Sequence, residues 1–239
     1  MKPNECNNLD ELFRVWRKCG LPPTKSWEAY NPCSKKSERF YPDGFVNQSE
    51  FGGKRILFIL VEGHVTCRTE DHYTGTDEEC DACQHDWFAD CLMGRKEKTV
   101  AAMEYKDGKR YFDKTLMMKQ VIDGVQCSEN DYDSLREAAY MNINKSGGEG
   151  NSNNTRLKNY VDHCGAYIQR EIELIAPDII ICCGSAMKDG LLENILRGYI
   201  QKRKDIKVRV VYMWHPAARK KPDVYEEHFR ELWKVSDPS

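Results

Sequence analysis

The chain has 239 residues, room for one sizeable α/β domain with decoration or at most two small ones. Charged residues make up 31% and hydrophobic residues 40%, which excludes a collagen-like or wholly disordered chain. The formal net charge is −2, so there is no bulk positive field, and any nucleic-acid contact must come from local basic clusters such as Arg219-Lys220-Lys221. No stretch reaches the ~18 apolar residues of a membrane span. Met1-Lys2-Pro3-Asn4-Glu5-Cys6 lacks the apolar core of a secretory signal. The expectation is a cytoplasmic protein without a membrane partner, whose 11 cysteines are mostly reduced.

Residues 8–19 read as a helix. Leu9, Leu12, Phe13 and Trp16 share one face, Asn8 caps the start, and Gly20 and Pro22 stop it. Residues 21–53 are rich in Pro, Asn, Ser and Gly and read as irregular. The run 54–61 predicts a strand buried on both faces, as in a parallel sheet. Residues 64–110 are polar, rich in Cys and His, and carry no clear period. A helix is predicted over 111–126 and a short strand over 138–143. The glycine-bearing loop 145–154 follows; it lacks the Lys-Ser/Thr ending of a phosphate-cradling P-loop.

A long helix is predicted over 155–175, a strand over 178–183, a helical region from Gly184 to Gly198, a strand over 207–213 and a last helix over 223–235. Strands separated by helices imply βαβ units. The expected fold is therefore a three-layer α/β/α domain with a four-stranded parallel sheet. Its expected division is an N-terminal extension, 1–53, and a main domain, 54–239, with an insertion at about 64–110.

Four segments carry chemistry. The first strand ends Leu60-Val61-Glu62-Gly63-His64-Val65. The second reads Tyr140-Met141-Asn142-Ile143-Asn144-Lys145. The third runs from Cys164 through Pro177-Asp178 to Gly184. The fourth is His215-Pro216-Ala217, after the last strand, where open α/β sheets bind ligands. Together and in this order they resemble the uracil-DNA glycosylase superfamily, nearest its bacterial and archaeal iron–sulfur branch. The resemblance covers about 54–63 and 138–235.

The resemblance implies a monofunctional DNA glycosylase that flips a base and hydrolyses its N-glycosidic bond. It assigns His215 to hydrogen-bonding the carbonyl of the departing base, where losing a fixed donor costs roughly 10²–10³ in rate. It assigns Asn142 to reading the edge of the flipped base, with Asn144 as a second candidate. Glu62 would orient the attacking water. Gly63 and His64 replace the branch's Ala-Pro beside the base, which points away from plain uracil and towards a larger or modified base. Phe88, with Trp87, would stack on the base, and Pro216, Ala217, Arg219 and Lys220 would meet the DNA. Uracil repair and attack on foreign, phage-type DNA carrying modified pyrimidines both fit. The partner is DNA, and the protein is expected to be a monomer. A catalytically silent nucleic-acid-binding protein on the same scaffold is the alternative.

Cys67, Cys80-Asp81-Ala82-Cys83 and Cys91 offer four thiolates for a structural zinc, which would give a polar insertion its folding energy. The base-excision chemistry needs no cofactor. The iron–sulfur cluster of the resembling branch is not expected: of its cysteines only Cys164 matches, Ser146 stands where another belongs, and no N-terminal Cys-x-x-Cys is present.

Overall fold

A mixed five-stranded sheet organises the molecule, with the order β1-β3-β2-β4-β5. The computed structural model describes residues 2–19, 40, 42–64, 87–94, 106–127, 131–148, 153–204 and 206–236. For residues 62–64, 87, 106–107 and 146–148 it describes the backbone alone. The strands are β1 (Gly44–Phe45), β2 (Ile56–His64), β3 (Ala139–Gly148), β4 (Ile179–Cys183) and β5 (Arg209–Met213). The helices are α1 (Leu9–Cys19), α2 (Trp87–Leu92), α3 (Lys106–Asp123), α4 (Asn154–Ile175), α5 (Ser185–Lys188), α6 (Glu193–Lys202) and α7 (Pro222–Val235), with a 3-10 turn at Tyr132–Glu137.

The expectation of four parallel strands needs correction. The strands β3, β2, β4 and β5 run parallel, but β1 adds an antiparallel edge through Gly44↔Tyr140 and Phe45↔Ala139. A two-residue strand has too few side chains to show a period of two, so the sequence hides it. Gly44 is required here. Its φ is +124°, and a Cβ would lie 2.5 Å from Leu9 Cδ1, so β1 can approach α1 only without a side chain. The strand β3 continues to Gly148, through the start of the expected loop. The expected helix 184–198 is two helices, α5 and α6, parted at Gly190 with φ +83°.

Alternation sorts each strand onto two buried faces. Leu57, Ile59, Met141, Ile143, Ile180 and Cys182 join α1, α4, α5 and α6 in one core. Phe58, Leu60, Tyr140, Ile181, Val211 and Met213 join α2, α3 and α7 in the other. The N-terminal helix is part of the first core: Leu12, Phe13 and Trp16 are buried, and Asn8 Oδ1 caps α1 by accepting from Glu11 N–H at 2.9 Å. The N-terminal edge of the sheet is clamped. Arg55 makes two hydrogen bonds to Asp178, at 2.8 and 2.5 Å, and Arg203 adds a third at 3.0 Å. Among the described residues no helix is long and apolar enough to cross a membrane.

Candidate functional site

Strand order places the site. From β2 the chain steps outward to β3, then crosses back to β4 and β5 on the other side. A reversal of this kind marks the usual ligand position of an open α/β sheet, the crevice outside the C-terminal ends of the two strands it separates, here β2 and β4. Met141, Ile59, Cys182 and Tyr212 form one register row across the four parallel strands. Asn142 lies one residue beyond that row, and Glu62, Asn144 and His215 three beyond it. Gly184 follows β4 with φ +119°, and its N–H donates to Met213 O at 2.9 Å. A Cβ there would meet Val61 Cγ2 at 2.9 Å, so a side chain would push on β2 beside the crevice.

His215 leaves β5 on a turn that fixes its tautomer. Ala217 N–H donates to Nδ1 at 3.2 Å, and Ala218 N–H donates to the His215 carbonyl at 2.9 Å. With Nδ1 accepting, the proton of the neutral ring sits on Nε2. Burial, followed by the positive charge of Lys114, pulls the His215 pKa down from 6.5 to about 4. At neutral pH the imidazole is therefore an uncharged donor. The Tyr111 ring lies 6.0 Å from it, centroid to centroid.

Lys114 holds this turn from α3. Its ammonium donates to Ala218 O and sits 4.6 Å from the centre of the Tyr225 ring. Tyr225 in turn donates its hydroxyl to Trp214 O at 2.7 Å. Burial, and then Arg110, lowers the Lys114 pKa to about 8. Pro216 is buried, whereas Ala217, Arg219 and Lys220 are exposed. The Lys220 ammonium lies 5.0 Å from the centre of the Trp214 ring.

Asn142 shares the face of Tyr140, with the second core. It is 8% exposed. Its backbone N–H donates to Asp43 Oδ2 at 2.6 Å, while its side-chain amide has no hydrogen-bond partner among the described residues. A nearly buried amide without a partner is rare, and a ligand edge is a natural occupant. Asn144 is wholly buried.

Behind Asn142, on the other face, lies an ionic triad. Lys145 is 0% exposed and donates to Asp43 and, at 2.8 Å, to Glu171 Oε1. The Phe13 and Trp16 rings cover it at 5.5 and 5.4 Å. Burial pushes the Glu171 carboxyl well above its usual range; Lys145 opposes the push and the Asp43 charge adds to it. Asp43 thus grips both the Lys145 ammonium and the Asn142 backbone.

Phe88 is 1% exposed, stacked on Phe112 at 4.9 Å and tilted on Tyr140 at 4.3 Å, so its ring is part of the second core. Tyr111 joins it to His215, touching Phe88 at 5.7 Å. Of the expected zinc ligands, Cys91 is buried in α2, and Cys67, Cys80 and Cys83 lie outside the described residues. The side chains of Glu62, His64 and Trp87 also lie outside; for Gly63 and its two neighbours only the backbone of β2 is described.

A different set of donors comes together on the first core. Cys19, His163 and Cys164 bring one ligand atom each to within 4.8 Å of one another, so they can hold a metal. Two thiols and one imidazole do not make the four-thiolate set of an iron–sulfur cluster. Burial pushes the Cys164 thiol up to about 12, with the Trp16 indole pulling it back.

No protein-family model matches the chain, and no curated protein matches it. The functional reading therefore rests on the site itself.

Sequence reading missed Tyr111, Lys114, Asp43 and Glu171. Two of these carried a signal. Lys114 interrupts the apolar stripe Tyr111, Met118, Val121, and Glu171 interrupts Tyr160, Cys164, Ile168, Ile175. A charge on an otherwise buried helical stripe requires a partner. Asp43 sits in an irregular stretch and carried none.

Proposed function

We propose that the protein is a monofunctional DNA glycosylase, hydrolysing the N-glycosidic bond of a base flipped into the crevice beyond β2 and β4. One observation carries the reading: a neutral imidazole whose Nδ1 is already engaged, which leaves Nε2–H as the ring's donor. Water adds to the sugar C1′, the C1′–N bond breaks, and its electron pair leaves with the base. The negative charge that develops on the base carbonyl is where a fixed N–H donor acts. A cationic imidazole is unnecessary, and the depressed pKa of His215 suits a donor that does not titrate near neutrality.

Asn142 supplies both a donor and an acceptor to the edge of the base. Glu62, at the end of β2, is the candidate for orienting water. Arg219 and Lys220, exposed beyond the His215 turn, supply the local positive charge for phosphates that the overall balance lacks. Helices on both faces of the sheet fit the three-layer α/β/α scaffold of the resembling superfamily. Gly63 and His64, standing where the resembling branch has Ala-Pro, favour a modified pyrimidine over plain uracil as the substrate.

The test is a panel of oligonucleotides carrying uracil, hypoxanthine, 5-hydroxymethylcytosine and glucosylated hydroxymethylcytosine, read as alkali-labile abasic sites. Cleavage of at least one, lost with His215→Ala while DNA binding remains, is the expected result. Binding without cleavage of any would favour a silent DNA-binding protein instead.

A further inference from the structure

We propose that Cys19, His163 and Cys164 hold a single thiophilic divalent cation of the zinc type, fastening α1 to α4. The site is independent of the base-excision reading and lies on the opposite face of the sheet.

The first support is distance. A zinc ion holds thiolate sulfur at about 2.3 Å and imidazole nitrogen at about 2.0–2.1 Å, so tetrahedral S and N donors lie about 3.6 Å apart. Cys19 Sγ and His163 Nε2 are 3.5 Å apart. The Cys164 sulfur completes a set whose members all lie within 4.8 Å. A bare thiol–imidazole hydrogen bond would account for the first pair but not for the third donor.

The second support is an orphaned group. Trp16 is 2% exposed, and its indole N–H has no hydrogen-bond partner among the described residues. Trp16 and Cys164 are buried in the same core. A neutral thiol is a poor acceptor, whereas a metal-bound thiolate carries the charge that an indole N–H can satisfy.

The surroundings permit loading. His163 is exposed and Cys19 partly so, and a cleft of about 420 Å³ lined by Arg14, Val15, Lys18, Cys19 and Tyr167 opens beside them. Arg14 and Lys18 would offset the negative charge of two thiolates. Three protein donors leave a fourth position for solvent. The Trp16 ring, on α1 with Cys19, also covers the Lys145 ammonium, so the cation would brace the lid over the ionic triad.

The test uses the purified full chain loaded with zinc or cobalt(II), with metal content measured alongside cobalt absorption. Wild type should show a thiolate-to-cobalt charge-transfer band. Cys19→Ser and Cys164→Ser should each lose the band and one equivalent of metal. His163→Ala changes an exposed position and should weaken binding without unfolding, checked by circular dichroism. Cys80→Ser, in the separate Cys-x-x-Cys, should leave this band unchanged. Retention of the band and metal in all three ligand variants would overturn the assignment. So would isolation of the chain with iron and labile sulfide lost on Cys164→Ser, which would make the site a cluster.

Discussion

Lys145→Met tests the ionic triad behind Asn142. The substitution keeps an unbranched side chain and removes only the ammonium. In the native pocket Lys145 and Glu171 are 0% exposed and Asp43 1% at the side chain, so water cannot replace a lost partner. Burial pushes the Glu171 carboxyl well above its usual range, and Lys145 is the group that opposes the push. Removing one partner of a buried ion pair costs about 3–5 kcal/mol. For a chain of this size each kcal/mol moves Tm by about 2–4 °C, giving a fall of roughly 6–20 °C. Without the ammonium, burial raises the Glu171 carboxyl further, so the folded chain holds its proton more tightly than the unfolded chain does. Stability of the variant therefore falls, relative to wild type, as pH rises from about 5 to 8. Glu171→Gln, an amide of the same shape in place of a carboxyl whose charged form burial penalises, should cost under about 1 kcal/mol. Differential scanning calorimetry at both pH values reads all three. A Lys145→Met Tm within about 2 °C of wild type, or an equal loss at both pH values, refutes the argument.

Other expectations follow from the crevice. His215 takes up its proton near 6.5 when unfolded and near 4 when folded, so stability is lost as pH falls through that window, by up to about 3 kcal/mol. Denaturant titrations of wild type and His215→Gln should differ by that slope, and the excision rate should show no inflection at 6.5. Lys114→Met removes a positive charge and the tie to Ala218 O; NMR titration should find the His215 pKa raised, still below 6.5 because burial remains, with excision slowed about 10–100-fold. Gly184→Ala forces a side chain onto φ +119° and against Val61, costing about 1–3 kcal/mol, visible as a lower Tm; an unchanged Tm would mean that β2 and β4 yield there freely.

The central strands were legible because they are buried on both faces, and such runs, as at Ile56–Val61 and Ile179–Cys183, need no partner to be recognised. Reading the end of β5 also placed His215 just beyond the sheet edge, whereas Asn142, expected near a strand end, is the fourth of the ten residues of β3. What escaped depends on distant chain. The strand β1 exists only as an addition to β3, and β3 outlasts its apolar run because β2 still pairs with it, through Glu62↔Asn144 and His64↔Gly148. The split of α5 from α6 turns on one positive φ at Gly190. Lys114 and Asp43 act through partners 104 and 102 residues away, which local pattern cannot display.

The triad also sets an order on synthesis. Asp43 and the amphipathic α1 leave the ribosome long before Glu171, about 130 residues later. At about 5–20 residues per second the delay is roughly 6–26 s. During that interval Phe13 and Trp16 have neither the ammonium they cover nor the helix they dock on. The nascent α1 must then wait with its apolar face uncovered, a natural client for a chaperone that works on chains still being made.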